Sequence, residues 1–139
     1  MQLLFNIPND SELAIVKKHI ADFKLDDTDL QKEQFVVVSI ESGLVGFGRL
    51  RSYDGVTELC TVGVLQKVQK KYIGKELVQQ LLKQTKETVY VVSVIPDFFE
   101  KCGFKIVNDY PPAIKNKLNF CFNKWTGWSR DEYKVLKYQ

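Results

Sequence analysis

Val64-Leu65-Gln66-Lys67-Val68-Gln69-Lys70-Lys71-Tyr72-Ile73-Gly74-Lys75 joins an apolar, β-branched run to a segment of helical period, and the reading of this junction decides the fold. From Tyr72 to about Glu87, Ile73, Leu77, Val78, Leu81 and Leu82 recur on one face, with Lys75, Glu76, Gln79, Gln80 and Lys83 on the other. Immediately beyond, Val89-Tyr90-Val91-Val92 is apolar throughout. That is the pattern of a strand buried on both faces, reached by a helical crossover and lying parallel to its predecessor. The local unit is strand, loop, helix, strand.

Upstream, Asp54-Gly55 is a two-residue hairpin signal, so Leu44 to about Tyr53 and Val56 to about Val64 are expected as antiparallel neighbours. Phe35-Val36-Val37-Val38-Ser39-Ile40, stopped by Ser42-Gly43, adds an earlier strand and completes a three-stranded meander. Asn9 followed by Glu12 has the spacing of a capping box. It opens a helix to Phe23 with Leu13, Val16, Ile20 and Phe23 on one face and His19 riding on it as a structural residue. Asp26-Asp27-Thr28-Asp29 reads as a solvated turn.

Downstream, Pro96 suits the first turn of a short helix through Cys102, Gly103 suits its stop, and Phe104 to Val107 resumes strand. Pro111-Pro112 reads as a loop between two strands, and Leu118 to Phe122 as the last strand. Trp125, Trp128 and Tyr133 fall in a tail that packs on the core or on a second subunit, and the pattern does not choose between them. With no repeat or linker in 139 residues, a single domain spanning 1–139 is expected.

Composition narrows the chemistry. A formal net charge of +3 is too small to require a nucleic-acid or membrane partner, and the Lys residues lack an interleaved base-stacking pattern. No apolar run reaches the roughly 18 residues of a membrane span, and Met1-Gln2-Leu3-Leu4-Phe5 lacks a signal core, so a cytoplasmic location is expected. Cys60, Cys102 and Cys121 are odd in number and widely spaced, against a disulfide framework or a zinc site; reduced, buried thiols are expected. With His19 as the lone histidine, neither a Ser-His-Asp triad nor a multi-histidine metal centre has its residues.

What remains is the junction. A helix N-terminus presents unpaired backbone N–H groups and the positive end of the helix dipole, and Lys67, Lys70, Lys71 and Lys75 cluster there. On charge alone this is either a phosphate pocket or a solvated helix start. The spelling Gln69-Lys70-Lys71-Tyr72-Ile73-Gly74 resembles motif A of the GNAT N-acetyltransferases, with Tyr72 where the family has its first glycine. Val89-Tyr90-Val91-Val92-Ser93 followed by Phe98-Phe99-Glu100-Lys101-Cys102-Gly103-Phe104 resembles motif B, in the family's order and separation. The resemblance covers roughly Phe35 to Phe122.

The resemblance implies a three-layer α/β/α GNAT fold whose mixed, mostly antiparallel sheet has a splayed central parallel strand pair. It implies acetyl-CoA, or a close acyl-CoA relative, as cosubstrate and no metal. Gln69, Lys70, Lys71, Tyr72, Ile73, Gly74 and Lys75 would wrap the pyrophosphate. Val62, Gly63 and Val64 would pair with the pantetheine arm, and the thioester would meet an acceptor amine in a cleft between Val64 and Val92. The implied reaction is direct attack by the amine of a small molecule or protein in a ternary complex. The Val64 backbone N–H would serve as oxyanion donor and Glu58 as the candidate general base. Phe99 takes the place of the family's tyrosine, a cofactor-facing position without a proton to donate, which leaves water, Tyr90 or Ser93 for that step. The alternative is a non-catalytic acyl-CoA-binding module with a sensing or regulatory role. The chain would act as monomer or homodimer.

Overall fold

The computed structural model describes residues 2–65, 71–125 and 127–139, in two compact units: Met1–Arg51 with Leu59–Lys86, and Ser52–Glu58 with Glu87–Gln139.

The first unit contains β1 (Leu4–Asn6), α1 (Asp10–Phe23), β2 (Phe35–Ile40), most of β3 (Gly43–Tyr53), the second half of β4 (Val56–Val64) and α2 (Lys71–Leu82). Helix α1 starts where the sequence places it, and both arms of the capping box are present. Asn9 Oδ1 accepts from the Glu12 N–H at 2.8 Å, and Glu12 Oε1 accepts from the Asn9 N–H at 3.0 Å. Its inward stripe, Val16 and Ile20, packs with Phe35, Val37 and Phe47. Strand β1, too short to show a period, runs antiparallel to β2, and β2 runs antiparallel to β3 with a register shift between Val38 and Ser39. At the hairpin Asp54 and Gly55 both have positive φ, 48° and 79°, as a type I′ turn requires.

Helix α2 lies against the bare backbone of β3: a Cβ on Gly48 would stand 2.8 Å from Leu81 Cδ1. The helix ends at Leu82, short of the expected Glu87, because Lys83-Gln84-Thr85-Lys86-Glu87 offers nothing apolar to bury.

Arg49 is the centre of this unit. It shares the face of Val45 and Phe47 on β3 and is wholly buried. Its Nε donates to Thr61 Oγ1 at 2.8 Å, Nη1 to the Thr28 carbonyl and to Gln34 Oε1 at 2.9 Å each, and Nη2 to the Asp26 carbonyl at 3.2 Å. The Asp26 carboxylate lies 3.7 Å from Nη2 and accepts from the Thr28 N–H. Asp26 is therefore buried and paired, not part of a solvated turn, because a buried guanidinium demands carbonyl and carboxylate partners.

The second unit contains the first residues of β4, β5 (Val89–Ser93), α3 (Pro96–Lys101), β6 (Lys105–Ile106), α4 (Pro112–Lys124) and β7 (Lys134–Tyr138). Strand β5 is parallel to β4 at Thr57↔Val89 and Glu58↔Tyr90 and antiparallel to β7, which pairs in turn with β6. Since β3 and β4 pass through both units, the seven strands follow the order β1-β2-β3-β4-β5-β7-β6, a mixed, mostly antiparallel sheet with one parallel pair. Val89, Val91 and Ser93 of β5 are buried, while Tyr90 and Val92 are half-buried.

Two expectations fail here. Pro111-Pro112 is a helix start rather than a loop between strands, and Leu118 to Phe122 lies inside α4 rather than forming a last strand. Pro112 occupies the first turn, where its missing N–H costs nothing. Ala113, Ile114, Lys117 and Cys121 then recur at helical spacing on the buried face, and the Lys in that stripe hides the period. The tail that holds Trp125, Trp128 and Tyr133 leads into strand β7, where Val135 and Leu136 are buried. The Tyr133 hydroxyl donates to the Cys121 and Trp125 carbonyls at the end of α4. Burial first, then the neighbouring Cys121 and Glu132, holds its phenol above the usual range. All three cysteines are free and buried, and no helix among the described residues is long and apolar enough to cross a membrane.

Arg49→Met removes every donor from this buried set and strands Asp26. It is expected to cost about 3–5 kcal/mol of unfolding free energy, measured by urea denaturation.

Candidate functional site

Strand β4 ends in the first unit with two alternating edges. The Leu65 N–H donates to the Val45 carbonyl of β3 at 2.8 Å. In extended chain successive N–H groups point to opposite edges. Val64 and Val62 therefore turn theirs to the edge away from β3, at the spacing that pairs with an extended chain of amides. Gly63 between them has its α-carbon against aromatic rings: a Cβ there would stand 2.7 Å from Phe47 Cζ and 3.0 Å from Phe23 Cδ2. His19 completes this aromatic group, its ring 5.8 Å from that of Phe23 and 6.3 Å from that of Phe47.

Just before these residues, Thr61 sits at φ 55° inside the strand, a conformation that β-branched residues rarely adopt and that costs of the order of 1–3 kcal/mol. Its hydroxyl accepts from Arg49 Nε and donates to the Asp26 carbonyl at 2.9 Å, which holds the backbone there. A left-handed residue within a strand re-aims the residues after it, as in a β-bulge. Arg49 thereby fixes the direction in which Val62, Gly63 and Val64 leave the strand.

The chain re-enters described structure at Lys71, the first residue of α2; Gln69 and Lys70, with Gln66, Lys67 and Val68, lie outside the described residues. Ile73 and Gly74 are buried in the first turn, while Tyr72 and Lys75 face solvent. That turn carries no acidic residue, so its N–H groups and dipole meet no competing carboxylate of their own.

In the second unit, Glu58 is 1% exposed. Tyr53 Oη donates to Glu58 Oε1 at 3.0 Å, and Lys117 Nζ of α4 lies 2.8 Å from Oε2, an ion pair off the line of an aligned hydrogen bond. Lys117 and Tyr53 are the functional candidates the sequence reading missed; the signal was a charged residue on the buried stripe of a helix. Ser93 Oγ accepts from the Ile95 N–H at 2.9 Å, closing the turn into α3. Tyr90 packs against the cluster of Val56, Ala113, Ile114 and Val135. The Phe99 ring is buried edge-on to Phe98 and Phe104. Among the described residues no group of three or more His, Cys, Asp or Glu is placed to hold a metal ion.

Residues 31–106, more than half of the chain, match the family model described as the acetyltransferase (GNAT) domain. None of the curated proteins matches significantly. Among solved structures, the chain is similar to N-acetylglutamate synthase from Neisseria gonorrhoeae complexed with coenzyme A and N-acetyl-glutamate. The TM-score is 0.76 at 10% identity, over 99% of this chain and 35% of that one, so the chain spans about a third of that synthase's length. It is also similar to Rv2747 from Mycobacterium tuberculosis in complex with CoA and NLQ, with TM-score 0.76 and 16% identity over 97% and 98% of the two chains. A third is Arabidopsis thaliana Naa50 in complex with the bisubstrate analogue CoA-Ac-MVNAL, with TM-score 0.61 and 17% identity over 100% and 99%. At such identities the likeness establishes the fold.

Gly63→Ala is expected to destabilise the protein by about 1–3 kcal/mol through overpacking against Phe47. Thermal unfolding of the single variant and of Gly63→Ala combined with Phe47→Leu measures it, the second substitution recovering part of the loss.

Proposed function

The chain belongs to the GNAT acetyltransferase family, and from that premise we propose that it is an N-acetyltransferase carrying the acetyl group of acetyl-CoA to a primary amine of a small molecule or protein. The observation that carries this reading is the junction of β4 and α2. Strand β4 ends with the Leu65 N–H on the Val45 carbonyl of β3, and an acid-free helix start follows within the family-matched segment. The neighbours support it in kind: one holds coenzyme A with an N-acetylated amino acid, another a CoA–peptide conjugate.

Acetyl-CoA supplies an activated thioester. In this reading Val62, Gly63 and Val64 align the pantetheine arm, and Gln69 to Lys75 hold the pyrophosphate. The acceptor nitrogen attacks the thioester carbonyl directly. The N–C bond forms, the C–S bond breaks with its electron pair leaving on sulfur, and the surplus proton of the amine passes to the Glu58 carboxylate. The Val64 N–H polarises the carbonyl, a contribution that reaches about 3 kcal/mol in comparable sites. Phe99 gives no proton, and the modest basicity of a thiolate lets CoA leave without a dedicated acid. Residues 1–139 act as one cytoplasmic GNAT domain, as monomer or homodimer.

A second reading, a non-catalytic acyl-CoA-binding module, is favoured by the engagement of both Glu58 oxygens and by the aromatic packing of Phe99. Release of free CoA in the presence of an amine separates the two.

Calorimetric titration with acetyl-CoA is expected to show micromolar binding. Gly74→Glu, which sets a carboxylate at the helix start, is expected to weaken it by at least about a hundredfold while circular dichroism shows the variant folded. A folded wild type that does not bind acetyl-CoA overturns the proposal. Binding without CoA release, across a pool of the common amino acids and short peptides, favours the module.

A further inference from the structure

Helix α4 carries an ammonium group where its neighbours on the same stripe are apolar. Lys117 is flanked at helical spacing by Ala113, Ile114 and Cys121, all buried, and its side chain is only 7% exposed. Stability gives no reason for a lysine there, because apolar residues of like volume stabilise a protein as well as a buried ion pair does, or better. What the pair provides instead is a charge and a direction at Glu58.

We propose that Lys117, assisted by Tyr53, is the positioning residue that holds and orients the Glu58 carboxylate to take the proton of the acceptor amine. The inference rests on the acetyl-transfer reading above. A carboxylate taken as far out of water as that of Glu58 needs an opposite charge close by. Lys117 Nζ at 2.8 Å supplies that charge. The Tyr53 hydroxyl, reaching the other oxygen from β3 at 3.0 Å, fixes rotation of the carboxylate about its last bond. Each carboxylate oxygen carries two lone pairs, so one partner on each leaves acceptor capacity for the incoming proton. Three elements thus converge on one side chain, with β4 contributing the acid, β3 the phenol and α4 the cation. Among the other titratable groups, Tyr90 is paired opposite Glu58 on β5 and Cys121 lies one turn beyond Lys117.

The test compares wild type, Glu58→Gln, Lys117→Met, Lys117→Gln and Lys117→Arg. Free-CoA release is followed from pH 5 to 9 with a pool of the common amino acids and short peptides as the amine. The Glu58 carboxyl is followed over the same range by 13C NMR, its signal assigned by its absence in Glu58→Gln. Acetyl-CoA calorimetry on each protein confirms that it is folded, and Lys117→Gln, which keeps length and a donor, serves if the Met variant does not fold. The expected result is that both uncharged variants move the acid limb of the rate profile, and the NMR midpoint with it, upward. Release near pH 7 then falls roughly tenfold, while Lys117→Arg restores the wild-type limb. If Glu58→Gln is slow but the uncharged Lys117 variants titrate and turn over as wild type does, the Lys117 inference is overturned and the base reading stands. If Glu58→Gln releases CoA as fast as wild type, the base reading itself is overturned and the inference with it. If no amine in the pool releases CoA, an NMR midpoint in Lys117→Gln equal to that of wild type overturns the inference, and an upward shift supports it.

Discussion

A guanidinium with no access to water has to find every partner inside the protein, and the architecture of the first unit follows from how Arg49 finds them. Its planar fork reaches a hydroxyl on β4, a side-chain amide just ahead of β2 and three carbonyls in the loop after α1. A lysine in that place has three donors at one point and cannot span these positions. The loop is therefore pinned to the sheet, and with it the exit of α1. The strain at Thr61 persists because the same network holds its hydroxyl on both sides. The direction of the strand end that carries the proposed cofactor amides is thus set by a residue well removed from them in sequence.

The second unit uses buried charge differently. Where Arg49 divides its donors among loop carbonyls, a hydroxyl and a side-chain amide, Lys117 meets the carboxylate of the proposed base. The first arrangement is static by construction. The second is a buried carboxylate with a matched cation and a phenol. Helix α4, missed by a reading of apolar periodicity, is the element that brings the cation.

The parts legible in the sequence were those where one pattern operates alone. The change from period two to period 3.6 after Val64, the capping box at Asn9, the hairpin at Asp54-Gly55 and the Pro96–Gly103 brackets of α3 each depend on local chemistry, and each element stands where that chemistry puts it. The parts that were not legible carry a charge on a buried face. Arg49 alternates in phase with Val45 and Phe47, and Lys117 in phase with Ile114 and Cys121, so the positions were visible but the residue types argued for solvent. Strand β7 was hidden for a further reason: it pairs with β5, far away in sequence, and nothing local announces a partner at that distance.

Arg49 grips the loop after α1 by carbonyl oxygens, which every residue has. The side chains of Asp27 and Thr28 are exposed, while the path of their backbone is held from below. Asp26 is fixed by its carboxylate, which meets Arg49 and the Thr28 N–H, and Asp29, at φ 51°, is restricted to the few residue types at ease in that conformation. The loop is therefore a rigid support with interchangeable fittings, a surface on which mutation can accumulate without loosening the fold and on which a lineage, or an engineer, is free to experiment.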